Sequence, residues 1–288
     1  MTSYLQQDQA DGLRRMNNSQ PIRVIAVSSG KGGVGKTNVS VNLAISLSRQ
    51  GKKVMIMDAD LGLANIDIML GLHPKYNLSH VLSGERELAD IIVDGPAGLR
   101  IIPASSGISS MSGLSPAENA GIIHAFSDLK EQIDVLIIDT AAGLDHSVIN
   151  FCKAAQEVVV VVCDEPASIT DAYALIKVLN KEHKINKFRI LANMAANAQE
   201  GRMLFNKIMM VTDKFLDASL GFMGTIPYDQ NLKKAVQKQM PITLSFPNSP
   251  ASKSFAQMGQ LINKWPVARS AGGQLEFFVE RLIAYNNL

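Results

Sequence analysis

The residues whose spacing carries the most chemistry are Gly30-Lys31-Gly32-Gly33-Val34-Gly35-Lys36-Thr37. They match GxxxxGK[ST], a loop whose glycines let backbone N–H groups curl around phosphate oxygens. The helix that follows such a loop presents its positive end to the same phosphates. Lys36 is placed to neutralise the β and γ phosphates and the Thr37 hydroxyl to ligate Mg2+, with Asn38 closing the nucleotide-binding run. This is the chemistry of an ATP or ADP site.

Such a loop works only between a strand and a helix, and the flanking sequence supplies both. RVIAVSS (23–29) is a β-branched run, and Val39, Leu43 and Leu47 recur at helical spacing in the segment after the loop. Gly51 stops that helix, and KKVMIMDAD (52–60) reads as the next strand. Strands at 99–105, 134–140, 157–164, 188–194 and 220–229 alternate with helices at 116–132, 167–182, 201–216, 230–239 and 250–264, and a short helix joins the strands at 134–140 and 157–164. Strands this uniformly apolar, separated by helices, predict an α/β fold: a doubly wound, mostly parallel sheet with helices on both faces. The chain divides into a tail (1–21), an ATPase domain (22–265), a linker (266–274) and an amphipathic C-terminal stretch (275–288).

The extra lysine of KGGVGKT, Lys31, makes the loop resemble the deviant phosphate loop of the MinD/ParA family of dimerising ATPases. The resemblance implies that Lys31 reaches into the partner subunit's site. A second cation near the γ-phosphate would stabilise transition-state charge as an arginine finger does. Asp58-Ala59-Asp60-Leu61-Gly62 with Asn65-Ile66-Asp67 is similar to the family's first switch, where Asp60 would orient the attacking water. Asp139, closing DVLIIDTAAG, is similar to the family's acidic residue behind Mg2+, acting through water, with Ala141-Ala142-Gly143 as a second switch. Asn193 matches the position that reads adenine, and Pro227-Tyr228-Asp229 the loop that packs on the base. A slow ATPase follows, with Lys31, Lys36 and Asp60 as its catalytic groups and an ATP-bound homodimer as its active form.

The extras choose among branches. Iron–sulfur carriers of this family need cysteine pairs to hold a cluster, and Cys152 and Cys163 make none; both read as small buried hydrophobes. A balance of 28 Lys+Arg against 26 Asp+Glu, with no basic stripe, disfavours direct DNA binding of the ParA kind. The tail carries Asp8-Gln9-Ala10-Asp11-Gly12-Leu13-Arg14, which resembles the DQAxxLR element of the FlhG/FleN family of flagellar-number regulators. That resemblance implies that Asp8, Gln9, Ala10, Leu13 and Arg14 activate an FlhF-type GTPase, Gln9 completing the partner's site, and that a FleQ-like flagellar transcription regulator is a second partner. Two other readings stay open: a positioning ATPase for another cargo (division site or DNA partition), and a binding protein whose nucleotide is structural.

At the other end Leu275, Phe278, Val279, Leu282 and Ile283 form one helical stripe, widened by Phe277. The resemblance implies a membrane-targeting helix; the segment's single Arg, absent Lys and two Glu argue instead for a helix docked on its own domain. The longest apolar run, Val158–Cys163, is far short of the ~20 residues needed to span a bilayer, and the polar first residues lack a secretory h-region. The expected location is cytoplasmic, with peripheral contact at the inner face of the cell membrane.

Overall fold

The computed structural model describes residues 22–60, 65–104, 115–129, 131–266 and 277–278. Eight strands are β1 (Arg23–Ser29), β2 (Val54–Ala59), β3 (Val93–Asp94), β4 (Arg100–Ile102), β5 (Val135–Ala142), β6 (Glu157–Val162), β7 (Lys187–Ala195) and β8 (Ser219–Pro227). They lie in the order β3-β4-β2-β5-β1-β6-β7-β8. Every pairing is parallel except β3 with β4, a two-residue edge that the sequence reading did not include. All seven residues of β1 are buried, as expected for a central strand covered on both faces.

Ten α-helices connect them: α1 (Lys36–Ser48), α2 (Ile66–Leu70), α3 (Leu78–Leu82), α4 (Pro116–Ala125), α5 (His146–Ala154), α6 (Pro166–Lys181), α7 (Ala198–Phe215), α8 (Gln230–Gln237), α9 (Ile242–Ser245) and α10 (Pro250–Asn263) among the described residues. On one face α1 and α2 join α10 in a core that includes Val39, Leu43, Ile66, Phe255 and Ile262. On the other face α4 and α5, then α6 and α7, pack on the alternate residues of the same strands. The stripe expected for α1 is in fact burial nearly all round, because α10 covers its outer side and Asn42 Oδ1 accepts both the N–H and the hydroxyl of Thr243. No described helix is long and apolar enough to cross a membrane.

Two expectations need correction. The helix expected over 116–132 ends at Ala125, and Phe126 caps it with a side chain that is fully buried. The C-terminal stripe does not run as one helix through its centre: Phe278 has φ 56°, a left-handed conformation that no α-helix carries. The reason is aromatic packing. Phe277 and Phe278 both meet the Phe126 ring edge-to-face, at 4.9 and 5.5 Å between centroids. Neighbours in a helix point about 100° apart and would not share one aromatic pocket, whereas a turn brings both rings to it. Leu275, Val279, Leu282, Ile283 and the tail element at 8–14 lie outside the described residues.

Candidate nucleotide site

The loop after β1 opens at the carboxyl end of the sheet, between β5 and β6, where a doubly wound fold places its ligands. Its glycines have distinct duties. A Cβ on Gly30 would stand 2.1 Å from the backbone of Asp171 in α6, so only glycine lets the loop leave β1 there. Gly33 and Gly35 both sit at φ +82°, the region that favours glycine. Gly35 is also the N-cap of α1, and no side chain caps it. The first N–H groups of α1 are thus left for an anion at the mouth of the loop.

Beneath the loop lies a buried charge cluster. Lys36 Nζ donates to Asp139 Oδ1 at 3.0 Å, and the Ser40 hydroxyl donates to the same oxygen at 2.8 Å. Asp139 is wholly buried, and its other oxygen, Oδ2, has no hydrogen-bond partner among the described residues. An orphaned carboxylate oxygen on a residue held by Lys36, next in sequence to Thr37, has the donor chemistry that a hydrated Mg2+ and a phosphate chain require. The residues present therefore fit a Mg2+–nucleotide.

Asp58 stands beside Asp139 in the register of β2 and β5. Its Oδ1 accepts the N–H of Asp60 at 3.1 Å, and its Oδ2 accepts those of Asn65 and Ile66 at 2.9 and 3.0 Å. Burial, reinforced by the Asp139 charge, pushes the Asp58 carboxyl up to about 7 despite these three donors. Asp58 pins both ends of the first switch, and Asn65 Nδ2 in turn approaches Asp60 Oδ2 at 3.4 Å.

A cleft of about 660 Å³ joins these groups. Gly32, Gly33, Gly35, Lys36, Thr37 and Asn38 line one side, and Asp60, Asn65 and Ile68 another. The sequence reading thus brought together the phosphate loop, Thr37, Asn38 and Asp60. Lys31, Asn193 and Pro227 lie apart from that lining. Lys31 points to its own chain, its Nζ 2.8 Å from Glu165 Oε2, and that carboxylate raises its pKa. Asn193 is buried behind the loop, its amide donating to the Val34 carbonyl at 2.8 Å. Pro227 ends β8 beside Ala195, outside the lining of the cleft.

Three contributors went unread in the sequence. Ser40 lies one turn beyond Lys36 on the same face of α1, a spacing that could have found it. Met194 holds φ 56° at a break in the β7–β8 register, a strain with no local signature beyond its neighbourhood to Asn193. Glu165 is 134 residues from its lysine. Among the described residues no cluster of His, Cys, Asp and Glu forms a metal site, and both cysteines are buried, Cys152 with its thiol pushed up to about 12.

Residues 22–191 match the family model described as an AAA domain. The chain is 55% identical over 273 residues to the antiactivator FleN of Pseudomonas aeruginosa, covering 95% of this chain and 98% of that protein. It is 35% identical to the flagellum site-determining protein YlxH of Helicobacter pylori, covering 93% and 92%. Among solved structures, the septum site-determining protein MinD of Pyrococcus horikoshii, complexed with Mg-ADP, superposes with a TM-score of 0.70 at 24% identity, covering 84% of this chain and 96% of that one.

Proposed function

The chain belongs to the FleN/FlhG branch of the MinD/ParA-type ATPases, a flagellar-number regulator of that family, and from that premise we propose that it is a switch which binds ATP with Mg2+, dimerises and hydrolyses slowly. The observation that carries this reading is the buried Lys36–Asp139–Ser40 cluster under the uncapped start of α1, with Asp60 on the same cleft. Lys36, Thr37 and the α1 N–H groups would hold the phosphates, and Thr37 with Asp139, through water, would hold Mg2+, which supplies charge neutralisation. Asp60 accepts a hydrogen bond from the attacking water and orients it.

Lys31 acts in trans in this reading, leaving Glu165 for the partner's phosphates. The tail residues Asp8, Gln9, Ala10, Leu13 and Arg14 act on an FlhF-type GTPase, and a FleQ-like transcription regulator is the second target. The P. aeruginosa relative's description as an antiactivator supports that second partner. In this reading Asn193 leaves the Val34 carbonyl to read adenine, and Pro227 packs on the base. The segment from residue 275 docks on its own domain through Phe277 and Phe278 and exchanges with a peripheral position at the cytoplasmic face of the membrane.

Light-scattering mass and phosphate release, each with ATP and with ADP, test the reading. Wild type should double its mass only with ATP, with turnover rising with protein concentration. Lys31→Ala should keep ADP binding and lose both effects. A variant that dimerises and hydrolyses as wild type does would remove Lys31 from the trans role. Turnover independent of protein concentration would favour a structural nucleotide.

A further inference from the structure

Just past the C-terminal end of α8, the Gln239 side chain reaches α2 beside the first switch. Gln239 Nε2 donates to the Ile68 carbonyl in α2 at 2.8 Å. The same carbonyl accepts the N–H of Gly71, which caps α2 at φ 63°. The Gln239 side chain lies on that cap: a Cβ on Gly71 would stand 3.3 Å from Gln239 Oε1 and 3.5 Å from its Cβ. Gln239 is itself in the left-handed region, at φ 51°, just past the end of α8. Two left-handed helix ends therefore abut, and the only one of them that is not glycine carries the connecting hydrogen bond.

A residue that accepts backbone strain where glycine is preferred has a side chain that the position uses. The opposite end of α2 is held by Asp58 through the N–H groups of Asn65 and Ile66, and Asn65 reaches Asp60. Ile68, Asn65, Asp60 and Gln239 line one cleft. We propose that Gln239 is a positioning residue for hydrolysis: it ties α8 to α2 and so keeps Asn65 and Asp60 in register with the phosphate loop. This rests on Asp60 being the water-positioning carboxylate.

Gln239→Gly separates the tie from the backbone, since glycine suits φ 51° and removes only the side chain. The expected result is a melting temperature equal to or above wild type, unchanged ADP affinity, unchanged KM for ATP, and kcat lower by roughly fivefold, the weight of one neutral hydrogen bond. Amide exchange over residues 65–71 should accelerate with it. Gln239→Glu, which keeps the size and loses the donor, should show the same fall in kcat. Wild-type kcat in both variants, with Asp60→Asn inactive, overturns the tie alone. So does a kcat that falls together with nucleotide affinity or with melting temperature, which would make Gln239 a ligand contact or a structural residue. Asp60→Asn turning over at the wild-type rate overturns the water-positioning reading beneath the proposal.

Discussion

Replacing Asp58 by Asn should flatten the dependence of stability on pH. Asp58 is 1% exposed, and its carboxyl is pushed up to about 7 from an ordinary value near 3.8 by burial and by Asp139. Between those two values the folded chain holds a proton at Asp58 that the unfolded chain releases. By linkage, the stability contributed by that proton is complete below about pH 4 and is lost as pH rises through about 7. The slope approaches 1.4 kcal/mol per pH unit across the window, and the whole effect is bounded at about 4 kcal/mol. The absolute stability of Asp58→Asn is a poor measure, because an Asn side chain turns a donor toward at least one of the N–H groups of Asp60, Asn65 and Ile66. The difference in slope is free of that offset. Urea unfolding from pH 5 to 7 in chelator, without nucleotide, gives ΔG for both proteins at each pH. Wild type should lose stability relative to the variant as pH rises. Parallel profiles would show that Asp58 ionises near its ordinary value, and the argument from burial would fail.

Lys36→Ala should abolish nucleotide binding and also cost about 3–5 kcal/mol without nucleotide, since it leaves the wholly buried Asp139 without its cation; fluorescent-nucleotide titration and denaturant unfolding measure the two, and wild-type stability in Lys36→Ala would refute the buried pair as a structural contact. Phe277→Ala should release the C-terminal segment while leaving the ATPase body folded, because Phe277 meets Phe126 and stacks near Phe151 at 6.4 Å through the segment alone. Limited proteolysis after residue 266 should then accelerate at least tenfold with little change in melting temperature, as expected for a locally opening terminus; unchanged cleavage would place the hold elsewhere.

What the sequence made legible depended on how locally each feature is encoded. The uniformly apolar runs of β5 and β6 announce buried parallel strands, and the phosphate loop announces itself in eight consecutive residues. The β3–β4 edge is only two paired residues long and has no period to detect. The α1 stripe is a partial view, since α10 closes over it and Thr243 of α9 bonds to Asn42 from 201 residues downstream. The C-terminal periodicity was real as a pattern, but two adjacent phenylalanines wanted one pocket, and tertiary packing overrode the helical reading at Phe278. Lys31 was found by its place in the motif, whereas its partner Glu165 and the Gln239–Ile68 contact are long-range facts that no local spacing encodes.

The site divides by burial into two parts, and in the proposed reading that division separates binding from turnover. The groups under the phosphates are fixed: Gly30 is locked against the α6 backbone, and Lys36, Ser40 and Asp139 are buried in mutual contact. Separating Lys36 from Asp139 leaves an unpaired charge in the core unless a phosphate or a cation takes the vacated place. The groups assigned to act on the terminal phosphate sit at the rim. Lys31 is 39% exposed and tied to a Glu165 that is 58% exposed, a pairing that solvent screens and that a phosphate can outcompete. Asp60 is half-buried, its N–H on Asp58 Oδ1 and its carboxylate near Asn65 Nδ2. In the proposed reading, a buried cradle with a rim held by weak, replaceable contacts would bind nucleotide in one state and hydrolyse it only when the rim is reset. That is the arrangement a slow molecular switch requires.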